Sequence, residues 1–219
     1  MPGRGRYHHG DLRRAVVDAA VEIIAQDGIG AVSLRDLARR AGVSHAAPAH
    51  HFKDKAGLLT AIAIEGFEIL ADSLEEALSI TPLPLLELGV RYVRFATDHP
   101  GHFEVMYRPD IYDRDDPELL AARYWARRVL RSGVSVGAPH QENGAEALAA
   151  LAAWSLAHGF ATLVRSGNLD EYLQQISPTD LFRRIVIQIP LPSQAVSGTE
   201  IAEILGVSGS ESPDDPGTT

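Results

Sequence analysis

The 219-residue chain contains no cysteine. Disulfide frameworks, thiolate zinc sites and cysteine nucleophiles are therefore excluded. It has no E-x-x-H pair either, which argues against a carboxylate di-metal bundle. No cofactor or metal is expected: Asp98, His99 and His102 come close in sequence but share no established face. No run of about 18 apolar residues, the length that crosses a membrane, is expected. The basic N-terminus lacks the apolar core of a signal peptide. The expectation is a cytoplasmic protein with no membrane partner. Cations are also short, at 20 Lys/Arg against 29 Asp/Glu, for a net charge of −9.

What is present fits a soluble globular chain of one or two domains, with 45% hydrophobic and 22% charged residues. The acidity is uneven. Residues 1–60 hold nine Lys/Arg and six Asp/Glu, a net +3, while residues 61–219 carry −12. A basic head on an acidic body suits a molecule that meets phosphates at one end only. Arg4 and Arg6 lie among glycines in residues 1–9. They belong either to a disordered end or to an arm that touches phosphates or the minor groove.

The stretch around which the chain is organised is Ser33 to Phe52. Leu34, Leu37, Ala38 and Ala41 share one helical face. Ser33 is placed to cap that helix, and Gly42 follows it where a left-handed cap favours glycine. Ser44 is placed to cap a second helix starting at His45, Ala46 and Ala47. Two short helices joined by a glycine turn are the helix-turn-helix pattern, whose second helix enters the DNA major groove. Pro48 would fall inside that helix and shorten or distort it. A first helix over 11–27 buries Val16, Ala19, Ala20, Ile23 and Ile24 behind the motif.

The pattern from about Tyr7 to Ile64, with R-Y-H-H-G-D-L-R-R-A at its start and H-F-K-D-K after the motif, resembles the DNA-binding domain of TetR-type transcriptional regulators. W-S-L-A-H-G at 154–159 resembles the branch with a WHG-type C-terminal domain. The chain departs from the family at Ala49, where a phosphate-contacting tyrosine is common. The resemblance implies an all-α protein: a head over 1–55 with its motif at 32–51, a regulatory and dimerisation domain over 56–192, and a tail over 193–219 expected to be disordered. It implies a homodimer on a palindromic double-stranded DNA operator, most often as a ligand-responsive repressor. Base edges would meet Ser44, His45, Ala46 and Ala47. Phosphates would meet Ser33, Arg35, His50, His51 and Lys55, with the arm. A regulator without ligand, or an activator, remains the alternative.

In the body, helices are expected over 55–79, 83–98, 117–132, 145–164 and about 181–189. The longest of them, 55–79, links head to body. Tyr92, Phe95, Met106, Tyr107, Tyr124, Trp125, Trp154 and His158 supply most of the large amphipathic side chains. They are the candidates to hold a small apolar or aromatic effector between the 83–98, 117–132 and 145–164 helices. Arg123, Arg127 and Arg131 read as a solvated face, and the acidic body disfavours a highly anionic ligand. The small residues near Ala150, Ala153 and Ala157 are expected to meet a partner subunit. Gly133-Val-Ser135-Val-Gly137 matches a serine-hydrolase elbow, but that chemistry needs Ser135 on a strand-to-helix turn. An enzyme is not expected.

Overall fold

A computed structural model describes residues 9–44, 46–80, 84–135 and 145–188. Arg4, Arg6, His45 and the 193–219 tail lie outside the described residues. Within them the regular structure is helical. The head comprises α1 (His9–Asp27), α2 (Leu34–Arg40) and α3 (Ala47–Phe52). The body comprises α4 (Lys55–Ile80), α5 (Pro84–Asp98), α6 (Pro100–Met106), α7 (Pro117–Ser135), α8 (Ala145–Arg165) and α9 (Pro178–Gln188).

In the head, Val16, Ala20, Ile23 and Ile24 of α1 are buried with Leu37 and Ala38 of α2 and Phe52 of α3. Each fully buried aliphatic side chain contributes about 1.5–3 kcal/mol. This small set is therefore enough to fix α2 and α3, which at 7 and 6 residues would not persist alone. The Arg13 guanidinium covers the Phe52 ring at 5.6 Å from its centre.

Helix α4 is the spine of the body. Leu58, Leu59, Ile62, Leu70 and Leu74 recur along its buried side, and it packs against α5, α6 and α7. Helix α9 is held to α5 through Glu87, which accepts from Arg183 at 2.9 Å and Arg91 at 3.3 Å. Asp116 accepts from the backbone N–H groups of Glu118 and Leu119, at 2.9 and 3.0 Å, and so caps α7.

Several expectations shift. The 98–102 segment is not a turn throughout: helix resumes at Pro100, a first-turn position where the missing N–H costs nothing. Helix α7 continues through Gly133 to Ser135, so no strand leads into Ser135 and the hydrolase elbow is not formed. Ala150 and Ala157 are buried inside their own subunit, not on an open face. The exposed large apolar residues of α8 are Leu148, Leu151 and Leu163, of which Leu151 also lines the cavity, and those of α9 are Ile185 and Ile187. Finally, the 147–165 stretch of α8 is long and apolar enough to cross a membrane by length and composition. This overturns the expectation of no such run: alanines, small but apolar, make up much of the stretch. In the structure this helix packs on α5, α7 and α9.

Candidate functional site

The turn after α2 is built by backbone hydrogen bonds. Gly42 takes φ 66°, its N–H donates to Arg39 O at 3.2 Å, and the Val43 N–H reaches Ala38 O at 3.0 Å. This paired closure is the Schellman motif, and its left-handed residue favours glycine. Val43 is half-buried beneath it. Ser33 stands at the cap of α2, yet it caps through its carbonyl, which accepts from Leu37 N–H at 3.0 Å, and its hydroxyl makes no cap bond.

The second helix starts later than its sequence suggests. Ala46, not Ser44, is the cap residue, and α3 runs from Ala47. Ser44 instead closes a backbone turn, its carbonyl accepting from Ala47 N–H at 3.0 Å. The shift resolves Pro48: it occupies the first turn, where an N–H has no intrahelical partner to lose. Pro48 is buried, while Ser44, Ala46, Ala49 and His50 are exposed, and Ala47 and His51 are half-buried. Arg35 is exposed one helix away, whereas Arg39 is drawn toward Asp36 at 3.6 Å. A polar rim of Arg35, Ser44 and His50 thus surrounds small side chains that admit close approach to a groove.

The junction with α4 is tight. Asp54 Oδ1 accepts from Gly57 N–H at 2.9 Å, capping α4. A Cβ on Gly57 would lie 2.0 Å from the Phe52 carbonyl oxygen, so a side chain there would drive α3 and α4 apart. Lys55 was expected at a phosphate. Its half-buried side chain donates to Ile29 O at 2.8 Å and clamps the start of α4 to the loop behind α1.

A second contact joins head to body. A Cβ on Gly101 would come 2.4 Å from Val21 O, so α6 rests directly on the backbone of α1. His102 is buried there, its Nε2 3.7 Å from Glu65, and neither ring nitrogen has a hydrogen-bond partner. Burial first, then the positive fields of His99 and Arg14, lower its pKa to about 4.

The other end of α6 opens on a cavity of about 560 Å³. Tyr92, Met106, Tyr107 and Trp154 line it, as their residue types suggested. The Tyr92 hydroxyl donates to the Tyr107 hydroxyl and lies 2.8 Å from His158 Nδ1. With the Tyr92 proton committed, Nδ1 carries the hydrogen of that second bond. The Tyr107 ring also meets His158 edge-on at 4.5 Å between centres. Burial raises the pKa of both tyrosines and lowers that of His158, so the trio is neutral near pH 7. His158 stands behind the wall as a support.

Three candidates lie elsewhere. Phe95 is core and stacks on His99 at 5.3 Å. Tyr124 is exposed, and Trp125, at the surface, donates to Glu75 at 2.9 Å. Sequence reasoning missed the α4 wall of Phe67, Leu70 and Leu74, and it assigned Arg123, Arg127 and Arg131 to solvent although all three line the cavity. Alternation at four residues, which puts the three arginines over one strip of α7, was the signal that could have placed them.

Two family models match. Residues 16–62 fit "Bacterial regulatory proteins, tetR family", and residues 85–189 fit "Tetracyclin repressor-like, C-terminal domain". The HTH-type transcriptional regulator BetI of Rhizobium meliloti is 32% identical over 131 residues, 57% of this chain and 63% of that protein. YobS of Bacillus subtilis, an uncharacterized regulator of the same type, is 31% identical over 43% of this chain and 51% of its own length. The match thus spans about half to less than two thirds of these curated relatives. Among solved structures, a Rhodococcus sp. RHA1 protein of unknown function is 31% identical, with TM-score 0.66, over 83% of this chain and 98% of its own. LfrR of Mycobacterium smegmatis, solved in complex with proflavine, shares the fold at 19% identity and TM-score 0.53, over 82% and 96%.

Proposed function

The chain belongs to the TetR family of bacterial regulatory proteins, and on that premise we propose that it is a cytoplasmic, ligand-responsive repressor that binds a palindromic operator as a homodimer. The observation that carries this reading is that one helix belongs to both ends of the molecule. Helix α4 begins at the Lys55 clamp under the head and, further along, supplies Phe67, Leu70 and Leu74 to the cavity wall. A mainly apolar, partly aromatic effector filling the cavity would press on the same rod that carries α3. Helix α6 gives a second route, with Met106 at the cavity and Gly101 against α1. The effector must bind the two arrangements unequally for any shift to follow.

In this reading, Ser44, Ala46, Ala47 and His45 meet base edges, while Arg35 and His50, with Arg4 and Arg6 of the arm, meet phosphates. The open sides of α8 and α9 meet their twins. Leu148, Leu163, Ile185 and Ile187 supply the apolar contact, and Gly159 has open space above it for a closely approaching helix. A site selected from random duplex DNA tests the proposal. It should be a palindrome with half-sites one or more helical turns apart, bound by two chains. A single unpaired site, or no selection above random sequence, contradicts the reading.

A further inference from the structure

The polar side chains described around the cavity are arginines, tyrosines and one tryptophan, and of these the tyrosine hydroxyls alone also accept hydrogen bonds. Arg123, Arg127 and Arg131 rise along one strip of α7, and the Tyr107 hydroxyl and the Trp154 indole stand on other walls. Guanidinium and indole donate and cannot accept, and the indole N–H already serves the Tyr92–Tyr107 pair. Among the described residues no aspartate, glutamate, asparagine or glutamine lines the cavity, in a body whose residues 56–192 hold 11 Lys/Arg and 18 Asp/Glu, a net −7. Among the described residues neither Arg123 nor Arg127 pairs with a carboxylate. Arg123 lies over the Phe67 ring at 6.0 Å, anchored at the wall. The Tyr107 oxygen accepts from Tyr92, which leaves its own hydrogen to be donated. The remaining lining is aliphatic and aromatic, including Leu70, Leu74, Leu130 and Leu151.

An apolar chamber with a cationic strip and, among the described residues, no carboxylate or carboxamide on its walls selects against cations. Of side chains, it offers a neutral ligand's donors only tyrosine oxygens, and it rewards a ligand whose charge the strip satisfies. We infer that the effector is an amphiphilic organic anion, with an apolar body in the chamber and one carboxylate or phosphate headgroup against the α7 arginines. This inference rests on the effector reading above. It reverses the expectation drawn from the overall acidity of the body, because a headgroup at contact responds to the guanidiniums beside it more than to screened charges beyond a Debye length.

The test uses the full-length Trp125→Phe protein, in which Trp154 is the remaining tryptophan, and follows its fluorescence without DNA. The probes are decanoate, decyl phosphate, decanamide and decylammonium. At least one anion should bind tenfold or more tightly than decanamide, and the better of the two identifies the headgroup. Arg127→Gln should weaken that anion at least fivefold and leave decanamide unchanged, while Arg127→Lys recovers part of the loss. Equal affinity for amide and anions, a preference for decylammonium, or no binding by either anion overturns the inference. Operator affinity is measured separately. Release by decanamide or decylammonium but not by the anions would sink the inference and keep the effector reading. Arginine-dependent anion binding that leaves operator affinity untouched would keep the inference and sink that reading.

Discussion

In the head, the helices close around Leu37, Ile24 and Phe52, and the chemistry is left on the outside. In the body, the helices close around about 560 Å³ that they do not fill, and the chemistry faces inward. The head's surface side chains are small or polar, and its shape depends on glycines at the Gly42 turn and the Gly57 crossing. The body's wall is aromatic and cationic, and its shape depends on how α4, α6 and α7 are spaced. In the proposed function the head reads and the body receives, and α4 belongs to both. The difference predicts that the head fails by backbone displacement and the body by filling.

The largest effect should come from breaking the head alone. Gly57→Ala sets a methyl against the Phe52 carbonyl and should cost about 3 kcal/mol, with operator binding lost. Denaturant unfolding checks it: an unchanged midpoint means that α3 and α4 have room to part.

Next is the contact between head and body. His102 titrates near pH 6.5 when unfolded but only at about 4 when folded. It faces Glu65, His99, Arg14 and Asp18. The unfolded chain therefore binds the extra proton as pH falls. Stability should be unaffected by this group above pH 6.5 and should drop by about 3 kcal/mol by pH 4. His102→Asn should flatten that part of the profile. A protonated His102 that drew Glu65 into an ion pair would instead leave the wild-type profile flat.

Filling the body should separate the two functions. Ala126 is buried on the cavity wall. Ala126→Phe should lower effector affinity by tenfold or more, about 1.4 kcal/mol, and leave operator affinity within a factor of two. Operator binding that falls along with effector binding would mean that the cavity's walls, not its occupant, set the head.

The smallest effect is at the surface of the head. Arg35→Ala should weaken all DNA sequences by a similar factor and reduce the slope of affinity against salt by about one, without relaxing sequence preference. His45→Ala should do the reverse, at about 1–3 kcal/mol for one operator position.

The head was the more legible region because its information is local. Leu34, Leu37 and Ala38 follow one period, and Gly42 marks its end. The start of α3 was missed by two residues because Ser44 looks like a cap, yet Pro48 fits only if the helix begins later. The body's helices were also legible in the spacing of leucines. Its cavity was not. A wall residue and a core residue have the same sequence pattern, so Phe67, Leu70 and Leu74 on the wall could not be told from Leu58 and Ile62 in the core. Arg127 and Arg131 are exposed and repeat every four residues, as a solvated face does. What makes them cavity residues is α8 lying opposite. Tyr124 and Trp125 failed for the same reason in reverse: one helix carries both exposed aromatics and buried Ala126, and only the packing against α4 decides which side is inside.

If α4 couples the cavity to the reading head, effector and operator must each alter the other's affinity. A compound that quenches Trp154 in the Trp125→Phe protein can be titrated with and without the selected operator, and the operator titrated with and without the compound. Each should weaken the other by the same factor, since coupling between two sites is reciprocal. Binding of the compound with equal affinity to the free and the operator-bound dimer would contradict it.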